Sequence, residues 1–325
     1  SPVFNENIEI IKLDSIGPFR FVLEFEKIAL SQNFIPDIIH VHGLWNYFCY
    51  GSYLIHKKNN IPIVTSLCGM LQEDALKISY QKKKIAWMVF FRKFLESNSC
   101  LISKSKLELF QIQKKINHDQ IKIIPNSINR VNFYSDKLKK NQFLFMGRIH
   151  PVKNIDNLLE AWSKIALKDK KNWKLIIAGE INDNDKYYQN LIKFVIRKGL
   201  QSEVNFVGAK KGKEKEKLFK QSKFFIMPSL FENFGTAILE ALSYGLPIIC
   251  SKETPWEQII DRNCGWHIEN DVNSLYDAIT NSLRLSDSEI TIMSKNSVNF
   301  AKNFKTKNVI EDLLKIYQDA KFRKI

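Results

Sequence analysis

Two series of short apolar runs alternate with helix-like segments along the chain, and this alternation is the strongest constraint on its fold. In the first series, segments with helical periodicity such as 19–31 and 75–96 separate the predicted strands. These strands are 8–13, 37–42, 62–67, 100–103 and 121–125. Strands that alternate with helices form a parallel sheet covered on both faces. The pattern therefore predicts an α/β fold.

A second series of the same kind begins at Gln142. Its predicted strands are 143–146, 173–178, 204–207, 224–227 and 248–250. The polar stretch 132–141 is the best linker candidate, and 325 residues exceed the roughly 100–200 of one domain. We expect two Rossmann-like, doubly wound domains, 1–135 and 136–308, facing each other across a cleft that is the default ligand site.

Composition and charge limit the classes of protein. The chain is 45% hydrophobic and 26% charged, with no apolar run near the roughly 20 residues of a membrane span and no signal-peptide pattern. We therefore expect a cytoplasmic protein. The net charge of +15 fits nucleic acid, an anionic membrane or phosphorylated substrates, and does not choose among them. No nucleic-acid-binding motif accompanies the charge, so no nucleic-acid partner is expected.

Neither a metal nor a cofactor is predicted. The five cysteines are scattered without a C-x-x-C pair, which indicates reduced and mostly buried thiols. Asp183-Asn184-Asp185 is a D-x-D sequence of a kind that binds divalent metal in some proteins. Here it follows a predicted strand and opens a helix, where Asn and Asp are ordinary turn and cap residues.

Two carboxylates stand out in the apolar segment FIMPSLFENFGTAILEALSYGLPII, residues 225–249. The segment predicts a strand, a loop, a helix starting near Thr236 and a further strand. Glu232 then lies in the loop and Glu240 lies one turn into the helix. Because an unpaired buried carboxylate is costly, each needs a partner, either from the protein or from a ligand.

Two cations lie at the start of the second series, in FLFMGRIHPVKNIDNLLEAW, residues 143–162. Arg148 can bind an oxyanion through two hydrogen bonds, and Lys153 adds a mobile point charge. The predicted helix N-terminus at Gly235–Thr236 offers free amides to an anion. Together these groups predict a site that stabilises a diphosphate without metal.

These segments resemble glycosyltransferases of the GT-B fold, family 4, the retaining kind that uses nucleotide-sugar donors. The resemblance rests on GRIHPVKN (147–154), IIAGE (176–180), FVGAK (206–210) and the E-x7-E signature within 228–249. In the first half, PDIIHVHGLW (36–45), GML (69–71) and IPNSI (124–128) are similar to bacterial members that build surface polysaccharides.

The resemblance implies roles for individual residues. Glu240 would bind the ribose hydroxyls, Glu232 would contact the transferred sugar, and Arg148 and Lys153 would hold the diphosphate; a capping or salt-bridged role for the glutamates is the alternative. His42 would line the cleft as a catalytic candidate, although a lone histidine is more often structural. The further substrate-binding candidates are Phe234, Gly235, Thr236, Gly147, Asn233, Cys68, Gly69, Gly179 and Glu180.

The implied function is metal-independent, retaining transfer of a sugar from a nucleotide-diphosphate-sugar donor to a saccharide or lipid-linked saccharide acceptor, in surface polysaccharide biosynthesis. An epimerase or a phosphorylase is disfavoured by the E-x7-E context. A catalytically silent nucleotide- or glycan-binding GT-B protein is the other alternative. It is suggested by Cys68, where many relatives carry a polar residue, and by the start at SPVFNENIEI, past the strand and glycine-rich loop of relatives. Upstream residues or a minimal domain would explain that start.

Two further expectations concern individual helices. The resemblance implies a C-terminal helix, 309–325, that crosses back to the first domain. The segment ALKISYQKKKIAWMVFFRKF, residues 75–94, is a basic aromatic helix that could make peripheral contact with the inner face of the cytoplasmic membrane and reach a lipid-linked acceptor. The alternative is a helix that buries Trp87 and Phe91 and leaves its lysines solvated.

Overall fold

The computed structural model describes residues 11–17, 21–22, 25–30, 35–77, 79–131, 139–170 and 172–322, without the side chains of 26, 28 and 74. Part of the predicted strand 8–13, part of the helical segment 19–31 and most of the predicted linker 132–141 lie outside these residues. The described residues group into two compact units. Unit 1 contains residues up to Ile124 together with those from Asp312 onward, and unit 2 contains Pro125–Glu311.

Unit 1 contains a parallel sheet whose four strands follow one another in chain order. The strands are β1 (Ile39–His42), β2 (Ile63–Ser66), β3 (Cys100–Ser103) and β4 (Ile121–Ile123). The helices are α1 (Phe25–Ala29), α2 (Tyr47–Asn59), α3 (Glu73–Lys77), α4 (Tyr80–Ala86), α5 (Arg92–Glu96) and α6 (Lys106–Gln113), with a π-helical turn at Trp87–Phe91. The four predicted strands from residue 37 onward are therefore confirmed.

Two predictions for unit 1 are wrong for the residues that the structure describes. Residues 11–13 of the predicted first strand are not extended in a sheet; Ile11 is exposed, and the stretch has no partner strand among the described residues. The segment 75–96 is not one helix either. Ser79 adopts a left-handed conformation (φ +57°), which separates α3 from α4. A helix cannot run through such a residue.

Unit 2 contains a six-stranded parallel sheet in the order β10-β9-β8-β5-β6-β7. The strands are β5 (Gln142–Met146), β6 (Lys174–Ala178), β7 (Val204–Phe206), β8 (Phe224–Met227), β9 (Ile248–Ser251) and β10 (Gly265–Ile268). The helices are α7 (Ile155–Lys164), α8 (Lys186–Arg197), α9 (Gly212–Gln221), α10 (Thr236–Ser243), α11 (Gln258–Asp261), α12 (Val272–Leu283) and α13 (Asp287–Ala301), with 3-10 turns at Pro151–Lys153 and Lys302–Phe304. The last helix, α14 (Thr306–Phe322), begins in unit 2, and its residues from Asp312 onward belong to unit 1.

Strand β10 is not among the predicted strands, because it starts with glycine. A Cβ atom at Gly265 would lie 2.1 Å from the carbonyl oxygen of Ile248, so only glycine allows β10 to approach β9. Glycine weakens the strand pattern in a sequence and often marks such a close approach of two backbones.

Apolar clusters cover both faces of the unit 2 sheet. Along β5, Phe143 and Phe145 pack into one cluster, whereas Leu144 and Met146 pack into the other. Successive side chains of a strand point to opposite faces, so a strand buried on both sides is apolar throughout. This explains why the unit 2 strands read as continuous apolar runs.

A buried ion pair joins the C-terminal side of α7 to the segment before β7. The Lys170 Nζ lies 2.6 Å from a carboxylate oxygen of Glu203, and the Trp162 indole N–H donates to the same carboxylate at 2.9 Å. All three side chains are almost completely buried. Removing one partner therefore leaves the other side chain as an unpaired charge in the core.

We expect Glu203→Ala to lower the free energy of unfolding by about 3–5 kcal/mol, the usual cost of leaving a buried charge without its partner. Glu269→Ala breaks the Lys252–Glu269 pair, whose side chains are 54% and 62% exposed, and should cost less than about 1 kcal/mol. Urea unfolding followed by tryptophan fluorescence measures both. Equal losses in the two variants would contradict the assigned role of Glu203.

Candidate functional site

The strand order of unit 2 reverses between β5 and β8. From β5 the chain proceeds outward to β6 and β7, and it then returns to β8 and proceeds the other way to β9 and β10. Loops that leave two neighbouring parallel strands in opposite directions open a crevice at the carboxyl ends of the strands. The loop after β5 carries Arg148 and Lys153, and the loop after β8 carries Glu232.

Backbone and amide hydrogen bonds fix these two loops together. The Leu230 N–H donates to the carbonyl of Val152 at 2.8 Å. The Asn154 amide donates to the carbonyls of Pro228 at 3.2 Å and Asn270 at 2.7 Å. Asn154 has a left-handed conformation (φ +56°), which turns the chain into α7. The side chains presented by both loops therefore have a defined spacing.

The partner of Glu232 is Lys153. Their side chains form an ion pair and are only 14% and 11% exposed, and Ser229 Oγ donates to the same carboxylate at 3.3 Å. Lys153 ends the 3-10 turn that begins after His150, whose ring accepts the Val152 N–H at 3.2 Å. Mutual attraction and hydrogen bonds offset the desolvation of such a pair only when the geometry is good. The pair therefore sits at the crevice as a mostly buried, neutral unit.

The partner of Glu240 is Lys215 on α9, at 2.6 Å. Both side chains are about a quarter to a third exposed, so this pair is open to solvent or ligand. It borders a pocket of about 600 Å³ that Arg130 and Tyr244 also line. Pockets for small molecules and cofactors are typically about 300–1,000 Å³.

Lys215 was not among the predicted site residues. It lies in the mixed-charge run 210–220, which alone indicates only a solvated surface. Four residues later comes the buried Phe219, and residues four apart lie on the same face of a helix. That spacing is the signal in the sequence that places Lys215 on the inward side of α9.

No side chain caps the N-terminus of α10, and of its first three amides the Ile238 N–H donates to the Gly235 carbonyl at 2.8 Å. Gly235 precedes the helix with φ +73°, as expected for the sharp turn. Phe234 is buried, its carbonyl accepts the Trp256 indole N–H, and Asn126 donates to Thr236 Oγ1 at 2.9 Å. The first amides of a helix lack intrahelical partners and favour anions.

Arg148 presents an exposed side chain at this crevice, whereas Gly179 has a role in backbone packing. Arg148 is exposed and has no ion-pair partner among the described residues. A Cβ atom at Gly179 would lie 2.2 Å from the Gly147 carbonyl oxygen, and the Gly147 N–H donates to Ala178 at 3.0 Å. Gly147 and Gly179 thus allow the loop after β5 to lie against the end of β6. Glu180 is exposed beside them, and Asn233 is half-buried.

The unit 1 candidates lie at the carboxyl ends of β1 and β2. Cys68 (φ +52°) and Gly69 (φ +80°) are consecutive left-handed residues, so the chain turns sharply after β2. The Gly69 N–H donates to one oxygen of Glu108, and the Lys104 N–H donates to the other at 2.6 Å. Glu108 is buried, and burial raises the pKa of its carboxyl while these backbone donors oppose the rise.

Glu108 was also missed, although the sequence contains a signal for it. Ser105 and Glu108 have the S-x-x-E spacing of a capping box, and Ser105 Oγ accepts the Glu108 N–H at 3.1 Å. The carboxylate additionally reaches the loop after β2. It therefore fixes the position of the Cys68–Gly69 turn from the start of α6.

His42 stacks on His40, with ring centroids 4.2 Å apart. His42 is exposed, whereas His40 lies between Ser66 Oγ at 2.9 Å and the Tyr317 hydroxyl of α14 at 2.5 Å. Burial lowers the pKa of His40 to about 4, and the charges of His42 and Lys104 contribute. His40 is therefore neutral at physiological pH.

This shift predicts the pH dependence of unit 1. The folded His40 has a pKa of about 4 and an unfolded histidine has one of about 6.5, so the unfolded state binds more protons between these values. Stability should fall as the pH drops from about 6.5 to about 4. Thermal denaturation at several pH values should show a smaller fall for His40→Asn than for the unsubstituted protein. An unchanged pH profile in the variant would contradict this assignment.

The D-x-D sequence caps a helix. Asp185 accepts the backbone N–H groups of Tyr187 at 2.7 Å and Tyr188 at 3.1 Å at the start of α8. Within the described ranges, no three His, Cys, Asp or Glu side chains are grouped so that they could hold a metal ion. Of the five free cysteines, Cys68 is exposed and the others are buried. None of the described helices is both long and apolar enough to span a bilayer.

Comparisons with known proteins give the following similarities. Residues 130–305, more than half of the chain, match the family described as glycosyl transferases group 1. The chain is 27% identical to the O-antigen chain mannosyltransferase B of Escherichia coli, over 54% of this chain and 45% of that protein. It is 26% identical to the UDP-Gal:alpha-D-GlcNAc-diphosphoundecaprenol alpha-1,3-galactosyltransferase of Escherichia coli, over 92% of this chain and 77% of that protein.

Among solved structures, the sucrose-phosphate synthase of Thermosynechococcus elongatus is similar with a TM-score of 0.78. The match covers 98% of this chain and 86% of that one at 20% sequence identity, so it concerns the fold alone. The chain spans about half the length of the first curated relatives that it matches.

Proposed function

Because the chain belongs to the glycosyl transferases group 1 family and has the GT-B fold, we propose that it transfers a sugar from a nucleotide-diphosphate-sugar donor to a lipid-linked saccharide in surface-polysaccharide biosynthesis. The relatives named for O-antigen mannosyl transfer and for a diphosphoundecaprenol-linked acceptor support this substrate class. Transfer would proceed with retention of configuration and without a metal ion.

The observation that carries this proposal is the set of charges at the reversal of the unit 2 sheet. The Lys153–Glu232 pair, the exposed Arg148 and the uncapped start of α10 all lie on loops at the carboxyl ends of β5 and β8. The donor diphosphate would take Lys153 and Arg148 as its cations and the α10 amides as donors. Glu232, displaced from Lys153, would then be free to accept hydrogen bonds from the sugar.

The chemistry requires stabilisation of the departing charge. As the bond from sugar to phosphate breaks, negative charge develops on the diphosphate and an oxocarbenium-like centre forms on the sugar. Fixed cations and amides aimed at the diphosphate stabilise that charge without reorganising. Glu240 would hold the ribose beside the 600 Å³ pocket, and the loops after β1 and β2, with His42, Cys68 and Gly69, would contribute to acceptor binding.

The proposal includes peripheral contact of unit 1 with an anionic membrane surface. In α4 and the π-helical turn that follows it, three apolar side chains are 60–76% exposed: Ile85, Met88 and Val89. The basic residues Lys82, Arg92 and Lys93 in the same segment are exposed as well. An apolar stripe flanked by basic residues suits the boundary between head groups and acyl chains. Phe91 is buried and Trp87 is half-buried, so this segment also contributes to the core of unit 1.

We expect Glu240→Ala and Arg148→Ala each to raise the Kd of the preferred nucleoside diphosphate by roughly 10- to 100-fold, the loss of one hydrogen bond to a charged group. Calorimetric titration with UDP, GDP and ADP, with EDTA present, measures this. Asp183→Ala, an exposed carboxylate outside the crevice, is the matched control and should bind as the unsubstituted protein does. Unchanged affinity in the Glu240 variant would refute the site assignment.

Turnover separates an enzyme from a silent binding protein. We expect release of nucleoside diphosphate from the bound nucleotide sugar in the presence of membrane-extracted lipid-linked saccharides, and none with Glu232→Gln. Donor affinity without any release would instead favour the binding protein.

A further inference from the structure

A cleft of about 210 Å³ lies within unit 1, apart from the residues discussed for donor binding. Its lining is mainly apolar and comes from the loops after β1 and β2, the helices α3 and α4, the π-helical turn and the segment after α6. The apolar side chains that line it are Trp45, Leu71, Leu76, Tyr80 and Trp87. Two indole rings facing a common space provide a large apolar surface.

The indole of Trp45 is held rigidly. Its backbone is left-handed (φ +64°), which costs about 1–2 kcal/mol for a residue of this size, so the surroundings must impose it. The indole N–H donates to the Met70 carbonyl at 3.1 Å, and the ring packs against Phe91 at 4.9 Å between centroids. Trp87 begins the π-helical turn, a feature that is frequent at functional sites.

Three lysines surround this apolar space: Lys83, Lys84 and Lys115. None has a carboxylate within ion-pair distance among the described residues. Lys83 Nζ lies 5.7 Å from the centroid of the Trp45 ring and donates to the Ala75 carbonyl. Burial lowers the pKa of Lys83, which shows that its charge is partly desolvated without an anion to offset this. The electrostatics of the cleft therefore favour an anionic ligand.

We infer that this cleft binds the prenyl-phosphate part of the lipid-linked acceptor, an inference that rests on the proposed function. The Trp45 and Trp87 rings pack against each other at 6.3 Å between centroids, so the apolar chain would lie along their exposed side, and the phosphate would pair with the lysines at the edge. A saccharide fits the cleft less well, because its hydroxyls need acceptors as well as donors. The lysines only donate, the Trp45 N–H is already bonded to Met70, and among the lining side chains only the Tyr80 hydroxyl can both donate and accept.

The test is calorimetric titration of the full chain with geranyl diphosphate, geraniol and inorganic diphosphate, below the concentration at which the lipid forms micelles. We expect geranyl diphosphate to bind more tightly than either fragment. Lys84→Gln, Lys115→Gln and Trp87→Leu should each raise its Kd by about tenfold, the loss of one charge-assisted hydrogen bond or a comparable apolar contact. Lys114→Gln, next to Lys115 but not among the residues that line the cleft, should leave the Kd unchanged.

Three results would overturn the inference: no binding of geranyl diphosphate, equal binding of geraniol, or loss of affinity in Ile85→Ser and not in the cleft variants. The last result would assign the affinity to the exposed membrane-facing side chains. Titration of the same samples with nucleoside diphosphates keeps the two proposals separate. If a nucleotide binds and geranyl diphosphate does not, only the assignment of the cleft is refuted. If geranyl diphosphate binds and no nucleotide does, the assignment of the donor site is refuted.

Discussion

The reversal of strand order between β5 and β8 is the constraint on which the chemistry of unit 2 depends. The loops that follow these two strands lead away in opposite directions, and this opens a crevice at the carboxyl ends of the strands. Hydrogen bonds from Leu230 and Asn154 then fix the spacing of the loops. The Lys153–Glu232 pair lies in the resulting crevice, where neither charge would be tolerated alone.

The ion pairs with lysine explain how the chain accommodates the two glutamates of the segment 225–249. Under the proposed function, a protein partner and a ligand partner would be successive states of the same carboxylate, because an anionic ligand can compete for the lysine. In the structure each glutamate is neutralised by a lysine, Lys153 for Glu232 and Lys215 for Glu240. A diphosphate that displaces a carboxylate from its lysine would replace one ion pair by another, and hydrogen bonds from the bound sugar nucleotide would have to offset the lost partner of the carboxylate.

Much of this architecture can be predicted from sequence, for identifiable reasons. The buried strands of unit 2 are apolar runs because both faces of the sheet are covered, and the turn at Gly235 follows from the need for a left-handed residue before α10. What could not be predicted depends on tertiary contacts. The glycine at the start of β10 weakens the strand pattern of that segment, and Ser79 breaks a segment with continuous helical periodicity. Lys215 and Glu108 acquire their partners from elements distant in sequence, Glu240 on α10 and the loop after β2.

The measurement that tests the central claim most directly is the affinity of UDP, GDP and ADP for Lys153→Met, compared with the neutral double variant Lys153→Met/Glu232→Gln and with Glu232→Gln. The double variant keeps the buried site uncharged and so controls for folding. If Lys153 binds the diphosphate, both variants without it should lose roughly 10- to 100-fold in affinity, whereas Glu232→Gln should bind at least as tightly as the unsubstituted protein. Nucleotide affinity that is independent of Lys153 would contradict the account.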